Sequence, residues 1–192
     1  DGLHRYFTTP TNFDSLAFHE AFADIVALFQ HFSHAEVLRH EVARAGELVG
    51  VALAVENMFP VVRGRMRTVP YEPGFDPTEV GHRHYTLDLS HTAAAGMDAL
   101  ALLERMGAGL HHVHLADGSG SRRDEHLVPG RGTQPCAEVL QRLADTGYGG
   151  VVVAEVSTRR CRTRYDRAEM LARSLLFARL HLQPTADREV AR

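Results

Sequence analysis

The sequence predicts an α/β chain built from repeated strand–loop–helix units, on three observations. Short Val/Leu-rich runs recur from residue 50 onward: VALAVE, YTLDLS, HHVHLA and VVVAEVS. Each has the length and composition of a strand buried on both faces of a parallel sheet. The segments between them include stretches of helical periodicity with helix-stop glycines, as the crossovers between parallel strands require.

Residues 1–47 differ in character and read as a helical N-terminal segment. A loop, DGLHRYFTTPTNFDS, leads into SLAFHEAFADIVALFQHF, where Leu16, Phe18, Phe22, Ile25, Val26, Phe29 and Phe32 form a broad apolar surface. Asp14 or Ser15 supplies the N-cap. A second helix, AEVLRHEVARAGELVG, ends near Gly46 or Gly50. VALAVE then reads as a strand, and residues 57–84 as a long loop with Pro60, Pro70, Pro73 and Pro77. YTLDLS is a strand, followed by the helix MDALALLERMG, closed by Gly107. HHVHLA is a strand, DGSGSRRDEHLVPGRG a loop and CAEVLQRLADTGY a helix. VVVAEVS is the last strand, and a final helix runs from about Asp166 to Leu182. The expected organisation is 1–47 helical, 48–183 repeating α/β, and 184–192 a flexible tail.

The spacing narrows the architecture. The runs end on Glu56, Asp88, His114 and Glu155, at intervals of 32, 26 and 41 residues. A (β/α)₈ barrel of about 250 residues allots roughly 30 to each unit. Four units therefore predict half of a TIM barrel, its second half, preceded by the helical segment. Parallel strands bring their C-terminal ends to one rim, so these four side chains should converge. A core formed by burial alone has no use for three carboxylates and an imidazole there, whereas a divalent cation does. LDLSH adds His91, and DEHLVPGRG adds Asp124 and His126, two apart and so on one side of an extended segment. Oxygen and imidazole donors suit Mn²⁺, Zn²⁺, Co²⁺ or Mg²⁺, and the lack of thiolates argues against a structural zinc. Each residue also has a plainer reading: a solvated strand end for Glu56, a satisfied strand histidine for His114, a helix cap for Asp88, a charged loop for Asp124 and Glu125. GSGS and PGRG are most simply turns, with a phosphate cradle the lesser alternative. Repetition at four corresponding strand ends favours ligation for the quartet alone.

Bulk properties exclude some classes. A hydrophobic content of 44% and a charged content of 23% are ordinary for a globular chain of 192 residues. A formal net charge of −3 and no evident basic stripe make nucleic acid an unfavourable partner. No run approaches the roughly 18 apolar residues of a membrane span, and no basic-then-apolar leader opens the chain. Cys136 and Cys161 have no metal-type spacing, which fits a reducing cytoplasm. The first residue is Asp1 rather than Met, consistent with a processed or partial product.

The motifs AVEN (54–57), LDLSH (87–91), HVHLADG (112–118), DEHLVPGRG (124–132) and VVAEV (152–156), in this order and spacing, resemble the C-terminal half of the xylose isomerase-like TIM-barrel superfamily over residues 48–182. That superfamily includes sugar (phosphate) isomerases and epimerases, and endonuclease IV of AP endonuclease family 2. The resemblance implies a metal quartet of Glu56, Asp88, His114 and Glu155. Glu56 and Glu155 would also be the catalytic acid and base, moving a proton through a cis-enediolate. It makes His91 and Arg131 substrate contacts, or His91, Asp124 and His126 ligands of a second metal as in endonuclease IV. The implied partner is a small sugar or sugar phosphate, with a homo-oligomer as one way to complete the barrel. The alternatives are an endonuclease IV-like phosphodiesterase on abasic DNA, or an inactive fusion remnant. Residues 11–40 separately resemble a helix of thermolysin-like metallopeptidases: FHEAFAD places Glu20 and Asp24 one turn apart, without the companion HExxH. A fusion of two gene fragments accounts for both resemblances, and an amphipathic packing helix is the simpler present role for 11–40.

Overall fold

Leu87, Val113 and Leu115 are fully buried, as strands of a parallel sheet covered by helices demand. The computed structural model describes residues 34–68 and 75–184. In chain order they form α1 (Ala35–Val49), β1 (Val55–Glu56), the hairpin of β2 (Val61–Arg63) and β3 (Met66–Thr68), and β4 (Tyr85–Asp88). Next come α2 (Leu89–Ala95), α3 (Ala99–Met106), β5 (Leu110–Leu115), α4 (Cys136–Asp145), β6 (Val151–Ala154) and α5 (Arg164–His181). The sheet order is β1-β4-β5-β6 and every pairing is parallel. Spatial order follows chain order, with α2 and α3 between β4 and β5 and α4 between β5 and β6, the winding of a partial TIM barrel; between β1 and β4 the described residues form a hairpin and a 3₁₀ turn instead of a helix. The expected α/β half barrel is what forms. Its core lies between sheet and helices, where Leu87, Val113 and Leu115 meet Leu102, Val139 and Leu140.

Local chemistry explains the boundaries. Asp98 caps α3 by accepting from the N–H groups of Leu100 and Ala101, and Thr163 and Asp166 form a reciprocal capping box on α5. Of the two glycines expected to end α1, Gly50 does so, in the left-handed conformation at φ 67°.

Three expectations change. Residues 57–84 are not one loop, for VVRGRMRT folds back as the β2–β3 hairpin and Pro77–Glu79 makes a 3₁₀ turn. LSHTAAA is a helix of seven residues, capped by Asp88 and ended by Gly96, although its Ser and β-branched Thr look unpromising. β1 is two residues long, because Val51 and Leu53 lie exposed before it. The first N-terminal helix, with Glu20 and Asp24, and the tail from 185 onward lie outside the described residues. No helix among the described residues is long and apolar enough to cross a membrane.

The loop from β5 to α4 is organised by Asp117, which is fully buried. Its carboxylate accepts from the backbone N–H groups of Gly118, Gly130, Gly132 and Gln134 at 2.8–3.0 Å. A Cβ at position 132 would collide with that carboxylate, so the close approach requires glycine. The PGRG turn therefore does hold an anion, but the anion is internal: Asp117 occupies the N–H groups that a phosphate would have used. Removing it should leave four donors unsatisfied. We expect Asp117→Ala to lose roughly 3 kcal/mol or more of unfolding free energy, from one to two donors stranded without water. Denaturant titration checks this, and a loss under about 0.5 kcal/mol would contradict the role.

Candidate metal centre

Register determines which way each strand-end side chain faces. Glu56 pairs with Thr86, Asp88 with His114, and His114 with Val153. Each neighbouring pair of candidates is thus offset by zero or two residues. Side chains alternate with period two, so all four project from the same face of the sheet. Asp88 and His114 are direct neighbours, Glu56 is one step lower, and Glu155 is one step higher. Glu155 follows β6 and stays in register by donating its N–H to the Leu115 carbonyl at 3.1 Å.

The four converge as the sequence predicts. His114 Nδ1 lies 2.8 Å from Glu56 Oε1, 3.0 Å from Glu155 Oε2 and 3.4 Å from Asp88 Oδ2. Asp88 also caps α2, its Oδ1 accepting from the His91 N–H at 2.8 Å. Cap and rim ligand were alternative readings of this residue, yet each uses a different oxygen. His91 and the 124–126 loop form an adjoining group. Asp124 Oδ2 lies 2.8 Å from His126 Nε2 and 3.7 Å from His91 Nε2. Donor atoms close enough to share an ion occur as Glu56–Asp88–His91, Asp88–His114–Glu155 and His91–Asp124–His126. His91 bridges the two halves of the cluster. Arg131 does not join them: it is exposed and lines a separate cavity of about 260 Å³ with Arg160 and Arg173.

Two features fit a cation. Asp88 Oδ2 is buried with no hydrogen-bond partner, a costly state for a carboxylate oxygen unless a positive charge faces it. His91 and His126 each place Nδ1 2.9 Å from a backbone carbonyl, of Asn57 and Glu155 respectively. A carbonyl only accepts, so Nδ1 carries the proton in both rings. That leaves Nε2 directed at the carboxylates, the tautomer by which a histidine ligates.

Some supporting residues escape a reading of motifs. Asn57 is fully buried and grips the Asp88 backbone twice, Nδ2 donating to the Asp88 carbonyl (3.0 Å) and Oδ1 accepting its N–H (2.7 Å). Ser90 donates to Asp124 Oδ1 at 2.7 Å and accepts the His126 N–H at 3.0 Å. A polar residue directly after a strand-end ligand was the available signal for Asn57. For Ser90, 34 residues from its partner, there was none.

The sequence model of the family described as xylose isomerase-like TIM barrel matches residues 77–181, more than half of the chain. The chain belongs to this family. Among family relatives, an uncharacterized protein of Mycobacterium tuberculosis (strain H37Rv) is 50% identical over 168 residues, covering 78% of this chain and 60% of the relative. A Streptomyces coelicolor protein bearing the name hydroxypyruvate isomerase is 29% identical over 120 residues, 59% of this chain and 41% of the relative. The crystal structure of a D-tagatose 3-epimerase-like protein superposes with a TM-score of 0.54 at 25% identity, covering 76% of this chain and 53% of that one. The chain thus spans about 60% of the length of the mycobacterial relative.

The carboxylates hold protons on the imidazoles. Asp88, Glu56 and Glu155 together raise His114 to about 10, against the burial that would lower it. Asp124 raises His126 to about 9. Burial alone would lower His91, but Asp124, Asp88, the Asn57 carbonyl and Glu56 together raise it. An imidazole raised from its ordinary value near 6.5 contributes stability that is complete below that pH and is lost as pH climbs through the folded value. In chelator, therefore, Tm should fall between about pH 7 and pH 10. A divalent cation displaces those protons, so the Tm gain on adding Mn²⁺ should grow over the same range. Thermal melts with and without Mn²⁺ check this, and a gain independent of pH would contradict it.

Proposed function

We propose that Glu56, Asp88, His114 and Glu155 hold one divalent cation, Mn²⁺, Zn²⁺, Co²⁺ or Mg²⁺, and that the site isomerises or epimerises a small sugar by proton transfer beside its carbonyl. The observation that carries this reading is the approach of three carboxylates, from three different strands, to one imidazole nitrogen. Isomerase and epimerase names among the relatives support the substrate class. When bound, the cation supplies Lewis-acid polarisation of the carbonyl, which makes the adjacent C–H acidic. The chain's own carboxylates then move the proton. Glu155, on a side chain 48% exposed that also lines a cavity of about 410 Å³, would take the proton and keep it. Glu56, on the neighbouring side of His114, would start protonated and deliver its own proton, to the opposite face of the same carbon in an epimerisation or to the next carbon in an isomerisation, where the hydroxyl proton passes between the two oxygens; exchange with solvent resets both carboxylates. His91 Nε2 binds a substrate hydroxyl. The edges of β1 and β6 pair with no other described strand, and a homo-oligomer that completes the barrel would cover them. Two free cysteines agree with a cytoplasmic setting.

A second reading has its own support. His91, Asp124 and His126 form a second possible ligand group, sharing His91 with the first, as endonuclease IV-like phosphodiester cleavage would need. Incision of abasic-site DNA by the metal-loaded chain tests it.

The isomerase reading is tested by solvent exchange. The Mn²⁺-loaded chain, given ketoses and aldoses in D₂O, should incorporate deuterium beside the carbonyl. Glu155→Gln should slow this by about 10²-fold or more while leaving the fold intact, the usual loss for a missing general base. Undiminished exchange in that variant, or none in the loaded parent, would sink the proposal.

A further inference from the structure

We propose that the substrate of this site carries an oxyanion, a phosphate or a carboxylate, and that Arg159 receives it, with Arg160 and Arg131 adding to the field. The inference rests on the isomerase reading and narrows its substrate class. The cavity into which Asp124, His126 and Glu155 open, about 410 Å³, is also lined by Ser157, Thr158 and Arg159. That volume is in the range of small-molecule sites. Arg159 is the one guanidinium on its lining. Among the described residues it makes no ion pair within 4.0 Å, nor do Arg160 and Arg131 in the separate cavity, where Arg173 is paired with Glu169.

The surroundings sharpen the point. Arg159, Arg160, Arg162, Arg164 and Arg167 are all exposed and follow directly on the last candidate ligand, in a chain of net charge −3. The sequence reading of no basic stripe overlooked this run. Asp166, its internal acid, is engaged at the start of α5, where it accepts from the N–H groups of Arg162 and Thr163. Several guanidiniums without acid partners on one loop repel one another, and a bound anion would relieve that repulsion. Their forked donors match phosphate and carboxylate oxygens. Glu155 and Arg159 line the same cavity, so a substrate with its carbonyl beside Glu155 would carry its anionic group toward Arg159. A nucleic-acid backbone would need cations along a track of several phosphates, whereas Arg159 shares its cavity with Asp124, Glu125 and Glu155.

The test uses the Mn²⁺-loaded chain and measures by calorimetry the binding of inorganic phosphate, a ketose phosphate, its neutral parent ketose and a 2-keto acid. Phosphate and the ketose phosphate should bind, with the neutral ketose at least about 10-fold weaker. Arg159→Ala should weaken the anionic ligands by roughly 10- to 100-fold, the equivalent of one or two charge-assisted hydrogen bonds, with Mn²⁺ affinity unchanged; Arg159→Lys should fall between. The keto acid arm separates a carboxylate preference from a phosphate one. The neutral ketose binding as well as the ketose phosphate and the keto acid, neither phosphate nor the keto acid binding the parent, or Arg159→Ala binding its anions normally would each overturn the proposal and leave the isomerase reading standing. Loss of phosphate binding in Arg159→Ala with no ketose bound at all would support the anion receptor and count against the isomerase reading. Arg159-dependent incision of abasic DNA would assign the arginines to a polyanion and overturn the small-substrate proposal.

Discussion

Even-numbered register between neighbouring parallel strands is the constraint on which the rest depends. Side chains on a strand alternate faces, so Glu56, Asp88, His114 and Glu155 can meet only if each ladder pairs them in step or two residues out of step. The pairings Glu56 with Thr86, Asp88 with His114 and His114 with Val153 meet that condition. A slip of one residue in the β4–β5 ladder would turn Asp88 or His114 into the helix layer, among Leu87, Val113 and Leu102. Burying an unpaired charge there would cost several kcal/mol. The hydrophobic pattern of the strands therefore protects the rim's geometry, and Leu87 and Val113 keep their neighbours Asp88 and His114 facing the right way.

Polar residues that are not themselves candidate ligands hold the rim in place. Asn57 fastens the end of β1 to the backbone of Asp88 and takes the Nδ1 proton of His91. Ser90 joins the start of α2 to Asp124 and His126. Asp117 folds the loop that carries them by filling a nest of four N–H groups. Each is buried and each spans segments far apart in sequence. The consequence is electrostatic: carboxylates that would otherwise swing into solvent are held near one another, and imidazoles respond by keeping their protons. A site in which protons stand where a cation could stand is poised to exchange one for the other.

Much of this was legible in the sequence because it depends on local pattern. Short Val/Leu runs closed by Glu, Asp, His and Glu announce parallel strands whose ends converge, and their spacing announces the barrel winding; burial on both faces holds for β4 and the centre of β5, whereas the edge strand β6 leaves Val151 and Val153 exposed. The i, i+3 spacing of Asp88 and His91 places His91 at the rim; Asp124 and His126 also meet, yet not through the extended segment their i, i+2 spacing assumes, since His126 turns into the left-handed region at φ 47°. What could not be read is non-local or marginal. Ser90 and Asn57 look like ordinary polar residues until their partners, more than 30 positions away, are known. The hairpin at 61–68 lacks the Asn-Gly or Asp-Gly signal of a tight turn, and Gly64 alone sets it. The PGRG turn advertised anion binding correctly in kind, but its anion was Asp117. Arg131 drew attention by lying within the DEHLVPGRG motif, while Arg159, in a loop without one, lines the cavity that Glu155 shares.

Anomalous diffraction from crystals grown with Mn²⁺ tests the central claim most directly. The account predicts a strong peak between Asp88 Oδ2 and the carboxylates of Glu56 and Glu155, with an imidazole nitrogen of His114 within about 2.3 Å, a usual ligand distance for such an ion. A peak elsewhere on the molecule, or His114 still hydrogen-bonded to its carboxylates at saturating Mn²⁺, would contradict it.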